Sequence, residues 1–248
     1  AFINTTLNTL QNNLRTLIDE MNKMSKEHDA GDIDVKINAE KFNGAYKVMA
    51  DGINDMVAGH IQVKKKAMAI VDEYANGNLE PVLEQLPGKK AFINKTLNTL
   101  QKNLHAFISE MNHMSDEHEA GDIDVVIDES LFKGAYLQMA KGVNNMVNSH
   151  INVKKRAMQI VKEYGEGNFE AKMEKLPGKK VFINEILDIV RENLQALIME
   201  MNNLSASAIA GKLEVRADES KYQGEWRTIV SGVNKTLDGI ILPLNVAA

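Results

Sequence analysis

The sequence predicts an all-α protein: long parallel helices in bundle units, strung together as a coiled-coil-like homodimeric rod. Three observations predict it. The chain repeats itself with a period of 90 residues, glycines bound its segments at fixed intervals, and apolar residues between them step by fours and threes.

The repeat is visible in Ala1-Phe2-Ile3-Asn4, which returns as Ala91-Phe92-Ile93-Asn94 and as Val181-Phe182-Ile183-Asn184. Inside each period lies a weaker one. A glycine followed by a polar residue, an apolar residue and an acid occurs at Gly31, Gly77, Gly121, Gly167 and Gly211, with the apolar place taken by Ile33, Leu79, Ile123, Phe169 and Leu213. Each is answered by an apolar residue two places before a second glycine: Phe42 and Gly44, Leu86 and Gly88, Phe132 and Gly134, Leu176 and Gly178, Tyr222 and Gly224. The paired glycines stand 13, 11, 13, 11 and 13 residues apart, and the spans from one pair to the next are all 33 residues. Helices of one length therefore alternate with two kinds of connector, and glycine marks the breaks because it tolerates the left-handed backbone that stops a helix.

The 33-residue spans read as helices about 45–50 Å long at 1.5 Å per residue. Met49, Ile53, Met56, His60, Val63, Ala67, Ile70 and Tyr74 form one seam, and Met139, Val143, Met146, His150, Val153, Ala157, Ile160 and Tyr164 repeat it. Ile93, Leu97, Leu100, Leu104, Phe107, Met111, Met114 and His118 make another, matched by Ile183, Leu187, Val190, Leu194, Leu197, Met201, Leu204 and Ala208. A sustained seam of this kind specifies helix-to-helix packing.

The connectors argue for parallel helices. A helical hairpin needs only about 2–5 residues, fewer than any of these links. Ile33, Val35 and Ile37, like Ile123, Val125 and Ile127, alternate with polar residues and present one apolar face. Thirteen extended residues reach about 43 Å, far enough to run back along a bundle level of about 22 Å and start the next helix at the same end. Two helices per level cannot enclose a core, so a second copy is expected to complete a four-helix bundle. The first half of each long helix would close one bundle and its second half open the next.

Composition narrows the function. With 44% apolar and 25% charged residues the chain can bury a core, while 5% aromatics and four prolines fit long helical seams. A net charge of −5 gives no reason to expect nucleic acid. No cysteine is present, which fits a reducing cytoplasm, and no apolar run is long enough to span a membrane. The chain reads as an excerpt of a longer protein, since residue 1 is not Met and both termini lie within helical patterns. No His, Cys or acid set has metal-ligand spacing, no cofactor motif appears, and nothing supports an enzyme.

These residues resemble the HAMP domain of bacterial chemoreceptors and sensor histidine kinases: a helix, a connector with a glycine and two apolar anchors, then a second helix. The second helix of that family carries an apolar-Asn-x-Met pattern, similar to Ile53-Asn54-Asp55-Met56 and Val143-Asn144-Asn145-Met146, with leucine forms at Ile93-Asn94-Lys95-Thr96-Leu97 and Val233-Asn234-Lys235-Thr236-Leu237. Pro243-Leu244 resembles the opening of a first helix, and the stretch from Asn234 to Ala248 is similar to segments of methyl-accepting chemotaxis proteins. Arrays with two alternating unit types occur in that family. The resemblance implies overlapping units at 1–60, 53–105, 90–150, 143–195 and 180–242, with a further unit beginning at 243–248. It also implies a cytoplasmic signal relay, partnered by its own copy, an upstream sensor and a downstream kinase-control module. The Asp-Glu-x-Gly turn common in the family is missing; Asn43-Gly44 and Pro87-Gly88 stand in its place.

Several residues admit a plain reading beside a functional one. His60 and His150 on the seam would fix register or form a pH-responsive layer. Lys64-Lys65-Lys66 and Lys154-Lys155-Arg156 would be a solvated face or meet an acidic partner. Methionine at Met21, Met24, Met49, Met56, Met111 and Met114 fills a core and also suits one that repacks. Gly52, Gly142 and Gly232 lie mid-helix, where each costs about 1 kcal/mol relative to alanine, and would mark close helix approach or a soft point. Two rivals to a relay are a passive spacer and a monomeric α-solenoid scaffold, whose repeats fall near the mean period here.

Overall fold

The computed structural model describes residues 2–247, with side chains described through Ile241. Its helices are α1 (Phe2–Asp29), α2 (Ala45–Ala75), α3 (Ala91–Ala120), α4 (Gly134–Gly165), α5 (Phe182–Ile209) and α6 (Gly224–Ala247). No strand occurs among the described residues, so the all-α class holds. The further unit expected from residue 243 has its side chains outside the described residues. Among the described residues no helix is long and apolar enough to cross a membrane.

The glycines end the helices by the expected chemistry. All ten connector glycines have φ between 54° and 106°. At Gly31 the amide donates to His28 O at 3.0 Å and the next amide, of Asp32, reaches back to Glu27 O at 2.9 Å, so two carbonyls orphaned by the helix end are satisfied. Gly77, Gly121, Gly167 and Gly211 repeat the pattern. A short 3₁₀ turn, not anticipated from the sequence, lies in every connector; in three of them an Asn38, Asp128 or Asp218 side chain caps it by accepting from the amide two residues on.

The chain forms two compact units, 1–140 and 141–248. In the first, Leu17, Met24, Ile37, Phe42 and Ala50 make one buried cluster, flanked by Ile53 and Val57. Leu83, Leu86 and Leu97 make a second, flanked by Val63, Ala67, Ile70 and Ile93. Helix α2 thus lends its first half to one core and its second half to the next. In the second unit, Leu204, Ala217, Tyr222 and Val230 close a core between α5, its connector and α6.

Contacts along the connectors fix helix direction. The first connector meets α1 at His28 through residue 35 and at Glu20 through residue 38, running backwards along it. Against α2 it pairs residue 34 with Lys65, residue 37 with Asn54 and residue 40 with Lys47, again backwards. A strip antiparallel to both neighbours makes those neighbours parallel. The second connector does the same, touching Tyr74 and then Lys66 on α2, and Gln101 and then Asn94 on α3. In the second unit, Tyr164 and then Arg156 on α4, and Gln195 and then Asn184 on α5, give the same order. Helices α1, α2 and α3 therefore run parallel, as do α4 and α5, unlike the helical hairpins that an α-solenoid stacks.

Candidate functional site: the helix connectors

Each connector is held by polar rungs as well as by apolar anchors. In the first four connectors the first rung comes from the residue three before the leading glycine. His28 Nε2 lies 2.8 Å from Val35 O, and His118 Nε2 lies 2.8 Å from Val125 O. In the shorter connectors tyrosine takes the place: Tyr74 Oη donates to Pro81 O at 3.0 Å and Tyr164 Oη to Ala171 O at 3.2 Å. Burial pushes both phenols above the ordinary tyrosine pKa, which keeps them protonated and donating.

The second rung lies two turns earlier and reverses its charge between connector types. In the first and third connectors, both of the longer kind, a carboxylate reaches over: Glu20 accepts from the Asn38 amide at 3.2 Å and from Lys41 Nζ, while Glu110 accepts from the Asp128 amide at 3.1 Å. The hydrogen bonds from Lys41 and the Asn38 backbone hold Glu20 below the usual carboxylate range. In the shorter ones a cation reaches over: Lys66 to Glu84 at 3.0 Å and Arg156 to Glu174 at 2.6 Å. The basic runs are therefore exposed but partly committed to the connectors, with Lys65 also bonded to Asp34 at 3.0 Å.

The third rung belongs to the following helix and is the tightest. Asn54 accepts from the Ile37 amide and donates to the Ile37 carbonyl, both at 2.9 Å. Asn94 accepts from the Leu86 amide and donates to Leu83 O and Glu84 O, all at 3.0 Å. Asn184 repeats this on Leu176, Met173 and Glu174, and Asn234 grips both backbone groups of Ala217 at 2.9 Å. Asn144, at the corresponding position, is buried too. A primary amide is the one neutral side chain that offers a donor and an acceptor side by side, which a peptide unit requires of a partner. These asparagines were legible as a motif but had no assigned role; their recurrence at a constant distance after the second glycine of each connector type was the available signal.

The anchors divide by depth. Phe42, Leu79, Leu86, Phe132, Leu176 and Tyr222 are buried, Val35, Val125 and Phe169 half-buried, and Ile33, Ile123 and Leu213 exposed in the protomer. The deepest connector side chains are Ile37 and Ile127, each at 2% exposure or less, which follow in the same alternation. Ile37 sits beside the Asn54 clamp, where the backbone is pinned. Phe107 and Phe132 meet edge to face, with centroids 5.7 Å apart.

On the seam, Leu97 and Leu187 are buried, while Ile53, Leu100, Leu104, Val143 and Leu194 are half-buried. Met49, Met56, His60, Met111, Met139, Met146 and His150 remain exposed in the protomer. Met56 and Met146 keep 59% and 57% of their surface open. Around Gly52, Gly142 and Gly232 an added Cβ would meet nothing within 4 Å, so no neighbour in the protomer approaches there.

This architecture, parallel helices linked by clamped, backtracking connectors, defines a class. The family model "HAMP N-terminal domain 3" matches residues 63–105 and 153–195, "HAMP domain" matches 221–248, and "Methyl-accepting chemotaxis protein McpB, second HAMP domain" matches 15–59. The chain belongs to the HAMP-domain family as a tandem array. Among individual proteins it is 36% identical over 137 residues to Methyl-accepting chemotaxis protein McpB of Pseudomonas aeruginosa, a match covering 51% of this chain and 20% of that protein. The chain thus spans only about a fifth of the length of that relative.

Proposed function

We propose that this chain is a cytoplasmic signal-relay module of a chemoreceptor, working as a parallel homodimer of successive HAMP bundles at 1–60, 53–105, 90–150, 143–195 and 180–242. It holds no cofactor and does no catalysis; its partners are its own copy, an upstream sensor and a downstream kinase-control module. The observation that carries the reading is the open seam: parallel helices, fastened on one side by their connectors, leave Met56 and Met146 more than half exposed. Exposed apolar rows of this extent on a bundle face mark an interface, and the parallel chain direction calls for a parallel copy.

Relay requires each level to hold two packings within a few kcal/mol. Methionine on the seam lowers the cost of repacking, because its side chain adapts to irregular gaps. Continuous helices shared by neighbouring cores carry the bias onward, and a coupling of about 1–3 kcal/mol per junction suffices. Mass by light scattering reads the first half of the proposal: two chains are expected, and a monomer overturns it. The second half is read by oxidation of a Leu100→Cys pair, timed in the parent chain and in Met56→Ile and Met56→Ala backgrounds. Changes at Met56 that bias one level should alter the rate at the next several-fold. Unchanged rates would make the array a spacer.

A further inference from the structure

The first four connectors are tied to the helix that precedes them by the histidine or tyrosine rung, always onto the carbonyl four residues after the leading glycine. The fifth departs. Ala208 occupies the rung position, so α5 offers no donor there. The corresponding carbonyl, Val215 O, is taken instead by Arg216 Nη1 at 2.8 Å, which also donates to Leu213 O at 2.7 Å. The same guanidinium is anchored on α6: Nε donates to Asp238 Oδ1 at 2.8 Å and Nη2 lies 2.7 Å from that oxygen. Neither half of this pair exists in the other long connectors, where Lys36 and Val126 stand at the arginine's place and Ala58 and Asn148 at the aspartate's. The fifth connector therefore differs from the other long ones at three linked positions, 208, 216 and 238.

We propose that the fifth connector is a one-sided coupling element, fastened at its entry to the outgoing helix α6 with no rung to the incoming helix α5, whereas the first connector is tied there to both neighbours, through His28 and Lys65. In the other connectors, sliding of the upstream helix must break a direct bond to the strip. In the fifth, α5 moves past the strip without breaking that bond, and movement of α6 drags the strip through Arg216. The fastening is also an ion pair at a partly exposed site, so salt weakens it, whereas the uncharged tyrosine rungs of the short connectors do not depend on ionic strength in this way.

Amide hydrogen exchange tests this without reference to signalling or oligomeric state. Residues 212–218 are compared with 122–128 in the same chain, in the parent and in Arg216→Ala, Asp238→Asn and the double variant Arg216→Ala/Ala208→His. Arg216→Ala and Asp238→Asn should each speed exchange at 212–218 by about tenfold, as loss of a charge-assisted anchor does, and leave 122–128 unchanged. Raising salt should speed the fifth connector in the parent but not in Arg216→Ala. Adding Ala208→His, which supplies the rung used by α1 and α3, should return exchange to within about twofold of the parent. Exchange at 212–218 that is indifferent to both single substitutions overturns the proposal. So does equal acceleration of both connectors, which would make the pair a general stabiliser, and so does failure of the histidine to restore protection.

Discussion

Replacing Asn94 by leucine removes one clamp while keeping the branching and the number of side-chain heavy atoms. The side chain is 3% exposed and makes three hydrogen bonds of 3.0 Å, to the Leu86 amide and to the carbonyls of Leu83 and Glu84. Leucine strands all three backbone groups. A buried polar group without a partner costs about 1–3 kcal/mol, and the carbonyl of exposed Glu84 can turn to water, so two groups count in full. The expected loss is about 2–6 kcal/mol. Because about 1.4 kcal/mol is tenfold, the Leu86 amide should exchange at least about 30-fold faster, and up to about 20,000-fold at the top of that range. Exchange resolved at Leu86 by NMR, with guanidinium unfolding followed by circular dichroism at one fixed protein concentration, measures both quantities. An exchange rate within threefold of the parent and an unmoved midpoint would refute the claim that the asparagines hold the connectors down.

Two glycine substitutions should act in opposite directions. Gly44 has φ 56° and ψ −133°, a conformation nearly closed to other residues, so Gly44→Ala should cost about 1–3 kcal/mol; Gly52 sits mid-helix with open space at its Cβ, so Gly52→Ala should raise the thermal midpoint by the equivalent of about 1 kcal/mol. Ile37→Ala and Ile127→Ala should each lose about 2–5 kcal/mol by denaturant unfolding, as deeply buried isoleucines do, and Ile33→Ala much less. Glu20 is held below the ordinary glutamate pKa by Lys41 and the Asn38 amide, so its contribution is complete above the usual carboxylate range and fades as pH falls through its lowered value. Unfolding midpoints measured from neutral to acid pH should therefore fall less steeply in Glu20→Gln than in the parent.

The sequence by itself determined the helix count, the helix ends and the alternation of two connector types. Those features are local: a glycine at φ above 50° stops a helix wherever it occurs, and a four-three apolar step makes a seam whatever lies opposite. Connector length against bundle height even favoured the helix direction found, because chain reach is a matter of covalent geometry. Only the tertiary structure decided what holds the connectors. Asn54 and Ile37 stand 17 residues apart and Glu20 and Asn38 stand 18 apart, and no local rule selects which polar side chain will meet which backbone group. The same holds for depth. Ile33 and Ile37 are indistinguishable as members of one alternation, yet the strip is pinned at Ile37 and passes over the rim at Ile33, leaving 2% of one side chain open and 38% of the other. Burial and hydrogen-bond partnership are properties of the assembled neighbours, and periodicity reports only which face a residue shares.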